Sequence, residues 1–278
     1  MLTSQQFDRT RKLALQLAGI ELSERHRELL ANRSRRLRIP QPAGIEGLLG
    51  AAEEGDPQAS RQVIGLVTTN FTGFFRHPRH FEIAAEHAVR AIQHAGSARL
   101  WSAAAATGEE PYSLAMALME ACRHDDPPAT ILATDIDAEA LAIAAQGEYG
   151  DRSLQTLAPL RRTRFFTATA SPGRQRIAPA GRRLVEFHPL NLVDAAWPIA
   201  GAFHVIFCRN VLMYLENRHR CPVLERLASL LAPDGLLLLD PTEHLGQAAH
   251  LFTPEAGGVY RRRGQSFCPA TQLIYDHR

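Results

Sequence analysis

Beyond residue 98 the chain alternates between short apolar runs and longer stretches with helical spacing. The apolar runs are Arg99–Ala103, Thr130–Thr134, Leu184–Phe187, Phe203–Phe207 and Leu236–Leu239, with a further one at Gly258–Arg262. Amphipathic segments follow three of them, at Pro111–Arg123, Ala138–Gln146 and Arg218–Leu231. Short apolar runs bounded by turn residues read as buried strands, and a period of about 3.6 residues reads as helix. Strands alternating with helices predict a doubly wound, mainly parallel α/β sheet. Residues 150–183 break the rhythm. The stretch LAPLRRTRFF is helical in character and the remainder is rich in Pro and Gly, which predicts an inserted β-subdomain over about 150–190.

Before residue 70 the pattern is helical throughout. Residues 2–20 carry apolar positions at Phe7, Leu13, Leu15, Leu17 and Ile20. Ser23 is placed to cap a second helix over about Glu24–Leu37, stopped before Pro40. Two more helical pieces fill 44–67, divided at Gly55-Asp56-Pro57. The expected organisation is an all-α N-terminal domain over 1–67, a linker with the first helix of the larger domain over 68–98, and an α/β domain over 99–278. On the second helix the expected apolar stripe is Leu29, Leu30 and Leu37. Arg25, Arg35 and Arg36 fall on a different arc, and Arg27 and Arg38 on a third. Such a face is either simply solvated or a docking surface for an acidic helix.

Composition narrows the class. Apolar residues make up 45% of the chain and charged residues 22%, which suits a globular protein rather than a disordered or membrane-embedded one. The net charge of +2 is too small to argue for nucleic acid. Cys122, Cys208, Cys221 and Cys268 form no CxxC pair and no metal-ligand spacing, so neither a metal site nor a disulfide framework is expected. A reducing, cytoplasmic setting fits them. The N-terminus has scattered charge and no long apolar core, unlike a signal peptide, and no run approaches a membrane span.

The chemistry is expected where strands end, because ligands in open α/β sheets bind at the carboxyl edge, near the point where strand order reverses. The first run ends in Ala103-Ala104-Ala105-Ala106-Thr107-Gly108-Glu109-Glu110-Pro111. Small side chains let a ligand approach the backbone. Proline at 111 suits the opening of a helix. With two acids and no lysine the turn is no phosphate loop; Glu110 suits a cationic group, an amine or a sulfonium. Asp135 ends the second run and is placed to accept both hydroxyls of a ribose, while Asp137 suits the cap of the following helix. Asn191, after another run, is placed for an adenine amine. A ribose, a positive charge and no phosphate point to S-adenosylmethionine rather than NAD. After the fourth run, Arg209, Asn210 and Tyr214 face the same rim.

Five motifs in order then resemble the CheR-type chemotaxis protein methyltransferases. They are TTNFTGFFRHPRHF at 68–81, WSAAAATGEEPYS at 101–113, ATDIDAEAL at 133–141, FHVIFCRNVLMYL at 203–215 and LLAPDGLLLL at 230–239. The resemblance covers essentially the whole chain. It implies an S-adenosylmethionine-dependent O-methyltransferase that forms glutamate methyl esters on the cytoplasmic helical bundle of chemoreceptors. Cofactor contacts would fall on Asn70, Thr72, Arg76, Glu110, Asp135, Asn191, Leu192, Arg209 and Asn210, with Arg76 and Tyr214 nearest the transferred methyl. The N-terminal helices would cover the cofactor and offer Arg25, Arg35 and Arg36 to the receptor; a monomer is expected. The chain departs from the family's pattern at His77, where an acid is common, and at Asp240-Pro241-Thr242-Glu243-His244, where many members carry a histidine-serine-glutamate run. The loop Thr167–Arg176 looks short for gripping a receptor tether. The cofactor motifs alone would also permit another protein or a small molecule as substrate, or a non-catalytic scaffold. No aromatic-proline tetrapeptide for nucleic-acid methylation stands at a strand end.

Overall fold

The computed structural model describes residues 2–36 and 44–263. Leu37, Arg38 and Cys268 therefore lie outside the described residues, as does the side chain of Arg36. Four helices open the chain: α1 Ser4–Ala18, α2 Arg27–Arg36 after a 3-10 turn at Glu24–His26, α3 Gly44–Glu53 and α4 Pro57–Val67. They enclose an apolar cluster built on Phe7, Leu13, Leu30, Leu49, Val63 and Leu66. Helix α2 buries Leu30 and Ala31, whereas Leu29 is exposed. The inward face of α2 is thus set one residue on from the expected stripe.

The remaining elements are α5 Pro78–Ala95, β1 Ala98–Ser102, α6 Glu109–Cys122, β2 Ala129–Asp135, α7 Ala138–Gln146, β3 Glu148–Gly150, α8 Asp151–Leu154, α9 Pro159–Phe165, β4 Phe166–Ala168, β5 Arg174–Ile177, α10 Pro179–Arg183, β6 Val185–Pro189, β7 Phe203–Phe207, α11 Asn217–Leu230, β8 Leu231–Leu238, β9 Phe252–Pro254 and β10 Val259–Arg262. Seven strands form one sheet in the order β6-β2-β1-β7-β8-β10-β9. Its first five strands are parallel and β10 and β9 add antiparallel at one edge. The chain winds outward from β1 to β6, then returns to β7 on the other side of β1. Strand order therefore reverses between β1 and β7, and a crevice opens at their carboxyl ends.

The central strands β1 and β7 are buried on both faces, as parallel strands covered by helices must be. One face carries Phe81, Leu114, Leu118 and Met119 from α5 and α6; the other carries Trp101, Val223, Leu224 and Leu227, with α11 across it. The predicted insertion is a three-stranded antiparallel sheet in the order β3-β5-β4. Two boundaries differ from expectation. Helix α6 opens at Glu109 behind Gly108, so Pro111 stands third in the helix, still within the turn whose N–H groups lack helical partners. Pro233-Asp234-Gly235 is an irregularity inside β8: pairing jumps from Phe203–Leu231 to Val205–Leu236, and Asp234 adopts a φ of 61°.

The N-terminal helices are strapped to the sheet's edge loops. Ile20 and Leu215 form an antiparallel bridge. The Glu21 N–H donates to the Tyr214 carbonyl, and the Glu216 N–H to the Gly19 carbonyl, each at 2.9 Å. Gly19 ends α1 at a φ of 63°, and a Cβ there would meet Val193 Cγ1 at 2.7 Å. Only glycine satisfies both conditions.

Candidate active site

A cleft of about 1070 Å³ lies between the strap and the carboxyl ends of the strands. Every site residue expected from the sequence lines it, from Asn70, Thr72 and Arg76 on the linker to Glu110, Asp135, Asn191, Leu192, Arg209, Asn210 and Tyr214 on the sheet loops. Ile20, Leu22 and His26 close it from the N-terminal side.

The loop after β1 is pinned by its backbone. Ala103 N–H donates to the Phe207 carbonyl (2.8 Å) and Ala105 N–H to the Thr134 carbonyl (2.9 Å). Ala106 N–H donates to Asp135 Oδ2 at 2.8 Å. Gly108 has a φ of 95°, and a Cβ there would strike Ala144 Cβ and the Tyr149 hydroxyl, both at 2.8 Å. The glycine is thus required by conformation and by close packing together. Ala103, Ala104 and Ala106 leave the cleft wall low.

Asp135 is buried and held in place. Its Oδ1 accepts the Asp137 N–H at 2.9 Å while Oδ2 accepts Ala106 N–H. Burial pushes its carboxyl pKa up, and the backbone N–H groups of Asp137 and Ala106 oppose the rise. Each oxygen keeps a further lone pair for a ligand. Asp137 joins two elements. Its Oδ1 caps α7 through the N–H groups of Glu139 (3.0 Å) and Ala140 (3.1 Å). Its Oδ2 accepts the Thr68 hydroxyl (3.1 Å) and the Asn70 amide (2.7 Å). The linker is therefore clamped to the end of β2. Asn191 makes a similar tie, its amide donating to the Leu17 carbonyl at 2.9 Å.

Glu110 and Arg209 form the core of the site. Glu110 Oε1 accepts the Ser102 hydroxyl at 2.8 Å and Oε2 accepts Arg209 Nη1 at 3.1 Å. The Arg209 side chain is 1% exposed, and its Nη2 donates to the Arg76 carbonyl at 2.7 Å. Burial pushes the Glu110 pKa up; Arg209, the Ser102 hydroxyl and Arg76 pull it back, and the net shift is upward. Arg209 thus holds the acid in place and fixes the linker backbone just where Arg76 leaves it.

The rim carries the exposed charge. The Arg76 side chain is 36% exposed, and its contacts are long: Nη1 to the Phe71 carbonyl at 3.4 Å and Nη2 to Asp240 Oδ2 at 3.9 Å. Asp240 itself is buried and accepts the Thr242 hydroxyl (2.7 Å), the Thr242 N–H (3.1 Å) and the Asn210 amide (2.8 Å). His77 Nε2 stands 3.3 Å from it. Burial works against the Asp240 charge, but the Thr242 contacts, Asn210 and His77 outweigh it and hold the carboxyl well below its usual range. The two departures at the rim, His77 and Asp240, are therefore neighbours in space.

Glu243 is the residue that sequence reasoning passed over. Buried, it accepts four backbone N–H groups: Asn210 (2.8 Å) and Asp240 (3.1 Å) on Oε2, Val211 (3.0 Å) and Met213 (3.3 Å) on Oε1. It shapes the loop carrying Asn210 and Tyr214, in which Asn210 has a φ of 58°. Its only signal in the sequence was an acid in a short post-strand run, where acids are common.

The donor set fits S-adenosylmethionine: a largely enclosed acid, Glu110, for its cationic aminoacyl end, a fixed acid at the end of β2 for the ribose, and a low alanine wall between. The CheR methyltransferase, SAM-binding domain family model matches residues 70–260. The chain belongs to the CheR family. Chemotaxis protein methyltransferase 2 of Pseudomonas aeruginosa is 39% identical over 262 residues, covering 93% of both chains. The chemotaxis protein methyltransferases of Klebsiella aerogenes and Escherichia coli are 38% and 36% identical; each alignment covers 93% of this chain, and 90% and 91% of the relatives. Like them, this CheR-family chain is a chemotaxis methyltransferase that uses S-adenosylmethionine. Among the described residues no helix is long and apolar enough to cross a membrane, and no cluster of His, Cys, Asp or Glu suits a metal ion.

Proposed function

We propose that this protein transfers a methyl group to the γ-carboxylate of glutamate side chains on the cytoplasmic helical bundle of a chemoreceptor. The observation that carries the reading is Arg76: a half-exposed guanidinium with only long contacts, at the mouth of a cleft suited to S-adenosylmethionine. Such a group receives an anion. A glutamate carboxylate is ionised at neutral pH and needs no general base.

S-adenosylmethionine supplies a methyl already activated on a sulfonium; a carboxylate oxygen forms the new O–C bond, the S–C bond breaks with its electron pair left on sulfur, and no proton moves. The chain's residues bind, orient and exclude water. Glu110 attracts the cationic end and Asp135 accepts the ribose hydroxyls. Asn70, Thr72, Asn191, Leu192, Arg209 and Asn210 complete the cofactor's surroundings. Arg76 steers the acceptor carboxylate and Tyr214 orients it through its hydroxyl, so that catalysis is in-line positioning with partial desolvation. We assign 1–67 to receptor docking through Arg25, Arg35 and Arg36, 68–98 to the linker that carries Arg76, and 99–278 to the methyltransferase domain. The protein would then act as a monomer in the cytoplasm.

Incubation with S-adenosylmethionine and receptor cytoplasmic fragments, followed by peptide mass spectrometry, tests the reading. One methyl gained on glutamate-bearing receptor peptides supports it. Methylation of lysine or of a small molecule, with receptor fragments untouched, contradicts it.

A further inference from the structure

A second chamber of about 890 Å³ adjoins the cofactor cleft. The two share Thr69, Phe71, Arg76, Asn210 and Tyr214 as a common wall, whereas His77, Met213, Asp240 and Thr242 line the second chamber and not the cofactor cleft. Its floor sets the Arg76 guanidinium 3.9 Å from the buried Asp240 carboxylate. The Asp240 carboxylate is turned inward on Thr242, Asn210 and His77, while the Arg76 guanidinium keeps donors free of any short contact. Its lips are apolar. Phe71 is 78% exposed and Met213 51% exposed, two of the few large apolar side chains the described surface leaves open. An exposed aromatic and a thioether beside a guanidinium held only by long contacts, to Asp240 at 3.9 Å and to the Phe71 ring at 5.7 Å, suit a carboxylate presented among apolar neighbours.

We propose that this chamber is the acceptor subsite, and that Phe71 and Met213 are its specificity-determining residues, reading apolar side chains one turn from the acceptor glutamate on a partner helix. This rests on the function proposed above. The common wall makes the geometry specific. A carboxylate entering between Phe71 and Met213 meets Arg76 and Tyr214, the groups that also face the cofactor cleft, so donor and acceptor approach from opposite sides of one partition. On a helix, residues three and four positions from the glutamate share its face and would rest on the lips.

Steady-state methylation of a receptor cytoplasmic fragment by Phe71→Ala, Met213→Ala and the double variant tests this. Both side chains are exposed, so their removal takes little from the core. The acceptor KM of the double variant should rise about tenfold, the order expected when two partly buried apolar contacts are lost. Met213→Ala alone, which leaves the cofactor cleft's lining intact, should keep kcat and the calorimetric Kd for S-adenosylmethionine within about twofold while it raises the acceptor KM. Replacing the receptor residues three and four positions from the glutamate by serine should raise KM for the wild type and have little further effect on the double variant, as coupled partners require. An unchanged acceptor KM in the double variant, with wild-type methylation intact, overturns the subsite. A wild type that binds S-adenosylmethionine but labels no receptor fragment overturns the glutamate reading itself, and shows this before any variant is made.

Discussion

Arg76 and Glu110 divide the work of charge between rim and interior. Arg76 is half-exposed and loosely held, whereas Glu110, its side chain 12% exposed, is bonded to Arg209 and Ser102. Arg76→Ala should lower kcat about a hundredfold through lost positioning. Tyr214→Phe should lower it about tenfold, the value of one oriented hydrogen bond, with the Kd for S-adenosylmethionine unchanged. Single-turnover methylation of a receptor fragment separates the two effects from binding. Glu110 sets the pH dependence. Its folded pKa lies above the ordinary 4.5, so its charge costs stability near neutrality, and that cost is relieved as pH falls. Binding of a cationic ligand needs the charged form and runs the opposite way. Affinity for S-adenosylmethionine should therefore weaken as pH falls, beginning above 4.5, and Glu110→Gln should weaken binding throughout and flatten the profile. Calorimetry across that range, above the acid unfolding transition, measures both.

Two carboxylates act at the scale of elements. Asp137 caps α7 and clamps the linker, so Asp137→Ala removes four hydrogen bonds at once and should cost about 2–4 kcal/mol in denaturant unfolding. Glu243→Gln places an amide among four N–H donors and should lower kcat more than it raises the cofactor Kd, because the loop it shapes carries Tyr214. The difference between these two residues shows what the sequence could convey. Asp137 stands at the head of a helical pattern, a position with one local meaning, and its cap was legible. The alternating strands and their helices were legible for the same reason, since local periodicity reports burial. Glu243 draws most of its partners from a loop thirty or more residues back in the chain, which no local pattern reports. Strand β9 is three residues long and ends on Pro254, too short for a period to show. Helix α6 opens earlier than expected because Gly108, not Pro111, sets the turn. Residues that line the cleft were legible at strand ends, yet the resting partners of Asn70, Asn191 and Arg209 were not, since each lies across an interface between elements.

The whole molecule joins a helical layer to the sheet through the strap at Gly19–Leu22, so the cleft is completed by both. Arg25 and Arg35 are exposed on that layer. If they meet an acidic receptor helix, Arg25→Glu with Arg35→Glu should raise the receptor KM several-fold at low salt and much less at high salt, leaving cofactor affinity alone. Stopped-flow association at two ionic strengths reads this directly. Methyl-labelled S-adenosylmethionine, the intact protein and a receptor cytoplasmic fragment should yield label on the receptor that mild alkali releases quantitatively as volatile methanol, as a carboxyl ester requires. Label that survives alkali on the receptor would contradict the account.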